Sequence, residues 1–415
     1  MLHTLTCDVA PRLNAVSPAE WRNLFPDLLD SLEMVRCIQD CGIAGFTFHS
    51  IVVRKAQRPI LLLPLFETDY RLSALVQGGA KRFVERIMRY APQLNQLHLL
   101  GVGFVEGEWG QVGLDPQTDS ATLDEAWDLA LQTLEVLARK LQAHLTAFVN
   151  FTTQSGRMLP MEKLATFSQI ASLPIAQTRV TYASVDEYIA SLPKKMRSNV
   201  RRYLRKAHNV KILRTHHPGP WLDAVYQLYL ETYRRSDVNF SMHSRELFKS
   251  VCQRVDGAQY TLYFIGEQLV AFGLHVVRPD GLIDKYFGMD AVLGRAYHLY
   301  FVSWVKDLEY CIENRIPLYH AGPTEEETKA RLGAAFIPNS IFFKHRHPFG
   351  HWILSTLARH VAYRPAMPLP PVRLGADWET PSTSERWSRQ TNLKAQVAMR
   401  QVDDLGQANG GIGHG

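Results

Sequence analysis

The densest chemistry in the chain is a run of cations from Pro193 to Arg214, PKKMRSNVRRYLRKAHNVKILR, with nine Lys and Arg and no acid. Drawn as a helix, Met196, Val200, Tyr203, Leu204 and Ala207 form one apolar stripe. Arg197, Arg201 and Arg205 form a second stripe, and Lys195, Arg202 and Lys206 a third. Such a helix docks by one face and shows cations on both flanks. Stacked like charges cost helix stability. An anionic partner offsets that cost: the phosphates of RNA, of a nucleotide cofactor or of a lipid. The plain alternative is a solvated face paired with acids elsewhere in the chain.

Further candidates lie downstream. Asp284, Tyr286 and Gly288 alternate in a strand-like segment and are read on one face. There Asp284 can take a proton from an attacking amine, and Tyr286 can give one to a leaving group. The turn from Asp290 to Ala296 sets Gly294 and Arg295 at the start of a helix, where a small-residue turn offers backbone N–H groups to anions. Thr324 and Glu327 have capping-box spacing, and three Glu in that first turn repel phosphate. Lys329 and Arg331, one turn later, can reach a carbonyl or phosphate at the sheet's end; the plain alternative is an exposed helix with pairs such as Glu325 and Lys329. Cys37 and Cys41 share a helix face, but no second Cys/His pair follows at ligand spacing, so they read as reduced thiols and no metal is expected. No GxSxG, Walker or Rossmann fingerprint is present.

These groups need a scaffold, and the periodicities describe one. Ala19–Gln39 reads as a helix, Phe46–Val53 and Pro59–Phe66 as strands, Lys81–Tyr90 as a helix and Gln96–Val105 as a strand. The amphipathic helix Leu123–Gln142 leads into the strand Ala143–Phe151. A loop or short helix from Thr152 to Leu173 separates the halves. Then follow the strand Thr178–Ala183, a helical stretch Val185–Asn209 interrupted at Pro193, and the strand Lys211–Thr215. Helices Trp221–Arg234 and Arg245–Val255 precede a meander of Gln259–Ile265, Gln268–Val277 and Leu282–Met289. Helix Ala296–Asn314, strand Pro317–Ala321, helix Thr324–Leu332 and strand Ser340–Arg346 complete the pattern. The expected fold class is α/β, each half a mixed, mostly antiparallel sheet flanked by helices. The expected units are 1–160, 175–364 with the basic helix, and a peripheral arm 365–415 with a mobile end.

Composition narrows the classes. The chain has 415 residues, 46% hydrophobic and 21% charged, which excludes a disordered or fibrous protein. The net charge of +6 is mild, so clustering matters more than the average. The longest apolar runs, such as Pro59–Phe66, fall short of the ~20 residues that span a bilayer. Met1–Leu13 lacks a basic region followed by an apolar core, which argues against a secretory signal. Five scattered cysteines fit a reducing, cytoplasmic compartment.

The meander followed by a helix and a further strand has the core order of the GNAT acyltransferases. The segments PKKMRSNVRRYLRKA, KYFGMD, YHLYFVSWVKDLEYCIENRI and AGPTEEETKARLGAAFIP together resemble the FemAB-like branch of that superfamily, including BioF2-like acetyltransferase-type domains. The resemblance covers Val180 to about His347 well and the first half more loosely. It implies two GNAT-like domains side by side. It places Lys194, Lys195, Arg197, Asn199, Arg201 and Arg202 in the family's basic motif, and Gly322, Thr324, Lys329, Arg331 and Gly333 at family-like positions. Phe287 stands where the family has Trp.

The resemblance implies an N-acyltransferase that moves an acyl or aminoacyl group from an activated donor to a small-molecule or peptide amine. Acyl groups other than aminoacyl are ranked first, aminoacyl groups second. Asp284 and Tyr286 are the catalytic candidates. Gly294, Arg295, Arg197, Arg201, Lys329 and Arg331 are the donor-binding candidates. No cofactor is held permanently; acyl-CoA or aminoacyl-tRNA is the co-substrate, with tRNA as a candidate partner. The competing classes are a Fem-type transferase dependent on aminoacyl-tRNA and a non-catalytic GNAT-fold module that binds RNA or another anion.

Overall fold

The computed structural model describes residues 4–26, 30–71, 96–107, 110–236 and 241–361. β1 (Leu5–Pro11) is followed by helices Pro18–Leu24 and Leu32–Cys41, then β2 (Phe46–Lys55), β3 (Arg58–Arg71) and β4 (Gln96–Val102). The short β5 (Gly113–Leu114), helix Ser120–Lys140 and β6 (Leu145–Thr152) close the first half. Helix Thr153–Gly156 and β7 (Ser168–Arg179) lead to helices Val185–Ser191 and Lys194–Lys206. The first order then recurs: β8 (Lys211–Thr215), helices Leu222–Arg235 and Arg245–Arg254, and the strands β9 (Ala258–Ile265), β10 (Gln268–Val277) and β11 (Leu282–Met289). Helices Leu293–Ala296 and Leu299–Glu313 precede β12 (Leu318–Gly322), helix Glu326–Arg331, β13 (Ala335–His345) and helix Pro348–Val361.

In each half the antiparallel strands end on one parallel pair, β4 with β6 and β11 with β12. The second pair is brief. Leu282 faces Tyr319 and Ile283 faces His320, so β11 and β12 part from Asp284 onward. The sheet runs β1-β2-β3-β4-β6-β13-β7-β12-β11-β10-β9-β8, with β5 on β3. The sequence reading gives each half its own sheet; the structure joins them. β13 pairs antiparallel with β6 on one edge and β7 on the other, and it buries Phe336, Phe342 and Phe343.

Packing follows the apolar stripes. Trp127, Ala130 and Leu134 of the long helix lie on Ile51, Val53, Leu61 and Leu63. Met34, Cys37 and Ile38 of the first half enter one cluster with Leu228, Phe248, Tyr260 and Phe272 of the second, so the core crosses the seam. The basic helix docks by Met196 and Val200 against Trp304 and Leu308.

Local differences have local causes. The expected helix Ala19–Gln39 is two helices, because Pro26 has no N–H to give and Ser31 caps the second by accepting from the Met34 N–H. β7 begins at Ser168, within the expected linker, because its first residues alternate without a strong apolar face. The Thr324–Glu327 capping box does not form; Glu325 takes the cap position in the left-handed region at φ 58°. Helix Pro348–Val361 has no counterpart in the sequence reading. The expected helix Lys81–Tyr90 and the arm 365–415 lie outside the described residues. Among the described residues no helix is long and apolar enough to cross a membrane.

Phe342 faces Phe148 on one side and Gln169 on the other, so its loss should be felt by both halves. Phe342→Ala should cost about 3–5 kcal/mol. In urea, circular dichroism and Trp fluorescence should shift together to lower midpoints. A shift in only one of them would mean that the halves are stable separately.

Candidate functional site

The seam between the halves holds a polar cluster built on β11. Opposite Leu274 and His275 of β10 the register slips, with His275 facing Asp284 and Leu274 facing Tyr286, so Lys285 is the extra residue of a bulge. Lys285 and Tyr286 therefore both reach toward the first half. The Lys285 ammonium lies 2.6 Å from the Asp30 carboxylate, both side chains almost wholly buried. It also donates to the Glu106 backbone carbonyl at 3.2 Å. Glu106 follows β4, where Gly103 adopts φ +128° and lets the chain turn away from the sheet.

Three groups meet around the Glu106 carboxylate. Tyr286 Oη lies 3.5 Å from Oε2, His243 Nε2 lies 3.3 Å from Oε1, and Ser241 Oγ donates to Oε1. Tyr286 Oη and His243 Nε2 are 2.9 Å apart. His243 is fixed by its backbone: its N–H donates to Tyr229 Oη, its carbonyl accepts from Tyr226 Oη, and it bridges to Ile43 of the first half. Burial pushes the Glu106 carboxyl up, but His243, Ser241 and Lys285 outweigh it and hold Glu106 below the ordinary carboxylate value. Burial, and then the Glu106 charge, push the Tyr286 phenol well above its ordinary value, so it stays protonated. A small cavity beside Glu106 is lined by Asp30, Gln39, Phe48, Leu65 and Phe104. The cluster combines an ionised carboxylate, an imidazole and a phenol in mutual reach, which is an acid–base set.

Asp284 takes the other face of β11, contrary to the reading that it shares a face with Tyr286; the bulge at Lys285 breaks the alternation. It sits where β11 and β12 part, and its Oδ2 accepts from Tyr319 Oη at 3.3 Å. His275 lies between two carboxylates, with Nδ1 3.6 Å from Asp284 and Nε2 3.6 Å from Asp307. Gly273 makes room for that ring, since a Cβ there would lie 2.5 Å from Nε2. Arg214 donates to Asp307 Oδ1 at 3.2 Å and to the Lys306 carbonyl at 2.8 Å. Burial pushes Asp284 up to about 6, with the Asp307 charge adding to the push. Burial likewise raises Asp307 to about 6 against Arg214, and lowers His275 to about 4.

The donor-binding candidates are spread out. Gly294 is buried against Met289, whose Sδ would lie 2.8 Å from an added Cβ, while Arg295 is exposed. In the turn before them, Asp290 Oδ1 accepts from the Val292 N–H at 2.8 Å and the Leu293 N–H at 2.7 Å. Lys329 is buried and donates to the carbonyls of Ala321 and Gly322, at the end of β12 left free by the parting strands. Arg331 is exposed and paired with Glu327. Arg201 is exposed, and the half-buried Arg197 donates to the Ala190 carbonyl at 2.8 Å. Among the described residues, none of the seven cations from Lys194 to Lys206 is ion-paired; Arg202 donates to Asn199. The basic helix meets the turn through Tyr203, which stacks on His298 with ring centroids 4.0 Å apart. The sequence does not single out Glu106, His243 and Asp30: they come from separate loops, and no spacing links them.

The profile of the FemAB-like family, described as peptidoglycan biosynthesis and recognition, matches residues 82–362. Among solved structures, FemX is similar with a TM-score of 0.50 at 11% identity, over 82% of this chain and 98% of that one. A tandem GNAT protein from the clavulanic acid biosynthesis pathway is similar at 0.49 and 12%, over 83% and 99%. L-PGS from Bacillus licheniformis is similar at 0.46 and 10%, over 84% and 98%. No curated protein matches in sequence. The fold class is the expected one: an α/β chain of two halves with mixed, mostly antiparallel strands flanked by helices, here joined in one sheet and similar in fold to FemX.

The buried network makes stability depend on pH. Asp284 and Asp307 bind protons more tightly folded, at about 6, than at the ordinary 3.8, so each lowers stability as pH rises from about 4 to 6. His275, lowered from 6.5 to about 4, works the other way and raises stability over nearly the same window. Two carboxyls against one imidazole leave a net fall. Asp307→Asn removes one carboxyl and one of the charges that raise Asp284. Its Tm should therefore rise more, or fall less, than that of wild type from pH 4 to 6, although at pH 7 it is lower because Arg214 loses a partner. An unchanged slope would show that the three groups do not titrate together.

Proposed function

The chain belongs to the FemAB-like family, and from that premise we propose that it transfers an acyl or aminoacyl group from an activated carrier to an amine at the seam between its halves. The observation that carries the reading is the Glu106–His243–Tyr286 cluster beside the strand that parts from its neighbour. Glu106 accepts a proton from the acceptor's ammonium, and the free amine attacks the donor carbonyl. The C–N bond forms and the bond from the carbonyl carbon to the carrier breaks. Tyr286 gives its proton to the leaving atom and regains one from Glu106 through His243; the amine's second proton goes to solvent. Asp284, closed into its own network, positions β11 in this scheme.

The donor in this reading is an aminoacyl ester on tRNA. Two features support it. The Asp290 carboxylate already occupies the turn amides that a nucleotide pyrophosphate would use, and it puts negative charge there. The basic helix displays Lys194, Lys195, Arg201, Arg202, Arg205 and Lys206 to solvent. An acyl thioester is the second reading, favoured by the gap between β11 and β12, whose free strand edge can pair with an extended amide-bearing arm.

Mass spectrometry of co-purified ligands would supply the acceptor, and charged tRNA and acyl-CoA would then be compared as donors. Glu106→Gln should lower kcat by about 10²–10⁴-fold while leaving donor affinity unchanged. Replacing Arg197, Arg201 and Arg202 by Gln should weaken tRNA binding and reduce its log–log salt slope by about 0.7–0.9 per lost contact. Tm should hold or rise as like charges are removed. A triple variant that is destabilised yet binds tRNA like wild type would make the helix structural and remove tRNA as the donor.

A further inference from the structure

Among the described residues, eight large apolar side chains are exposed, and three of them, Phe349 (71%), Trp352 (64%) and Ile353 (36%), lie within five residues on helix Pro348–Val361. Their i, i+3, i+4 spacing makes one stripe. Phe349 and Trp352 stack with centroids 6.0 Å apart. The helix is already seated by its opposite face: Leu354 and Ala358 pack into the core, and Ser168 Oγ meets Ser355 Oγ at 2.7 Å and His351 Nε2 at 3.2 Å. The outer stripe is thus not needed for docking the helix.

The charged side chains just before the helix are cations. Lys344, Arg346 and His347, just before the helix, are exposed. Arg346 reaches the Gln142 carbonyl at 3.5 Å, which brings it to the end of the long helix whose last residue is the exposed Lys140. Residues 328–376 contain seven Lys and Arg and no Asp or Glu. Stacked aromatic rings rimmed by cations suit the headgroup level of an anionic bilayer, where the rings sink into the acyl boundary and the cations meet lipid phosphates. A second copy of the chain is a poorer occupant, because a two-fold contact through this face would bring two cationic rims together.

We propose that the outer face of helix Pro348–Val361 is a membrane-surface contact: Phe349, Trp352 and Ile353 enter the interface of an anionic bilayer, and Lys344 and Arg346 hold its headgroups. The inference is independent of the transfer chemistry.

The test sediments the full chain with vesicles of phosphatidylcholine, alone or mixed with phosphatidylglycerol. Wild type should partition to the mixed vesicles, less so as salt rises, with a blue shift of Trp emission. Phe349→Ser with Trp352→Ser should weaken partition at least tenfold at unchanged Tm. Lys344→Gln and Arg346→Gln should each weaken it roughly fivefold. Trp352→Phe should keep the partition and lose the blue shift. Failure of wild type to bind mixed vesicles would overturn the proposal, as would equal binding by the double Ser variant. A concentration-dependent dimer that the double Ser variant abolishes would assign the stripe to a second copy instead.

Discussion

The geometry of the site at the seam depends on one buried ion pair. Lys285 and Asp30 meet at 2.6 Å in a place almost closed to water, one from each half of the chain. Leaving either charge alone there costs about 3–5 kcal/mol, so the two halves are held in one relation. The pair does more than join them. Lys285 also donates to the Glu106 carbonyl, so one ammonium fixes both the opposite half and the loop that carries the carboxylate. Tyr286 is the next residue, and its phenol cannot move far from Glu106 while Lys285 is anchored.

The bulge that admits Lys285 divides the chemistry of β11 between two faces. On the seam side the charges are compensated well enough for Glu106 to stay ionised. On the other side Asp284 and Asp307 are pushed toward protonation, and the imidazole between them toward neutrality. Burial drives both cases; what differs is the supply of partners. Glu106 has an imidazole, a hydroxyl and a nearby ammonium, whereas Asp284 has Tyr319 and a ring at 3.6 Å. The two faces of β11 thus meet different surroundings: the Glu106 loop on the seam side, and the Asp284–His275–Asp307 network behind it.

Much of the scaffold is visible in the residues themselves. The meander strands Gln268–Val277 and Leu282–Met289 have their observed bounds, because Gly266 and Gly281 mark the turns and the apolar runs are unbroken. The break at Pro193 follows from its missing N–H. Tyr286 stands out by its place on a strand. Its partners do not: Glu106 and His243 lie far apart in sequence and are brought together by contacts between the halves, among them the Lys285–Asp30 pair and the bridge from Ile43 to His243. Periodicity also assigns Asp284 to the face of Tyr286, since a bulge has no signature in an alternating pattern. Lys329 carries a readable signal, a cation one turn into a helix at the sheet's end. That its ammonium serves the free carbonyls of Ala321 and Gly322 depends on β11 and β12 separating, which no local pattern shows.

The separation of charge around the second half bears on how a carrier would approach. The start of the short helix after β11 is filled by Asp290, and the start of the helix after β12 carries Glu325, Glu326 and Glu327. At about 4 Å and an effective dielectric near 20, each carboxylate would oppose an incoming phosphate by about 4 kcal/mol. Neither helix start therefore offers the anion seat that its backbone alone would provide. The cations lie instead on the basic helix, whose Tyr203 stacks on His298 at the far end of the turn. From Met289, where β11 enters that turn, back to Tyr286 is three residues, about 10 Å of strand. A polyanionic carrier lying along the basic helix would be held by many exposed charges and turned away from both carboxylate-guarded helix starts.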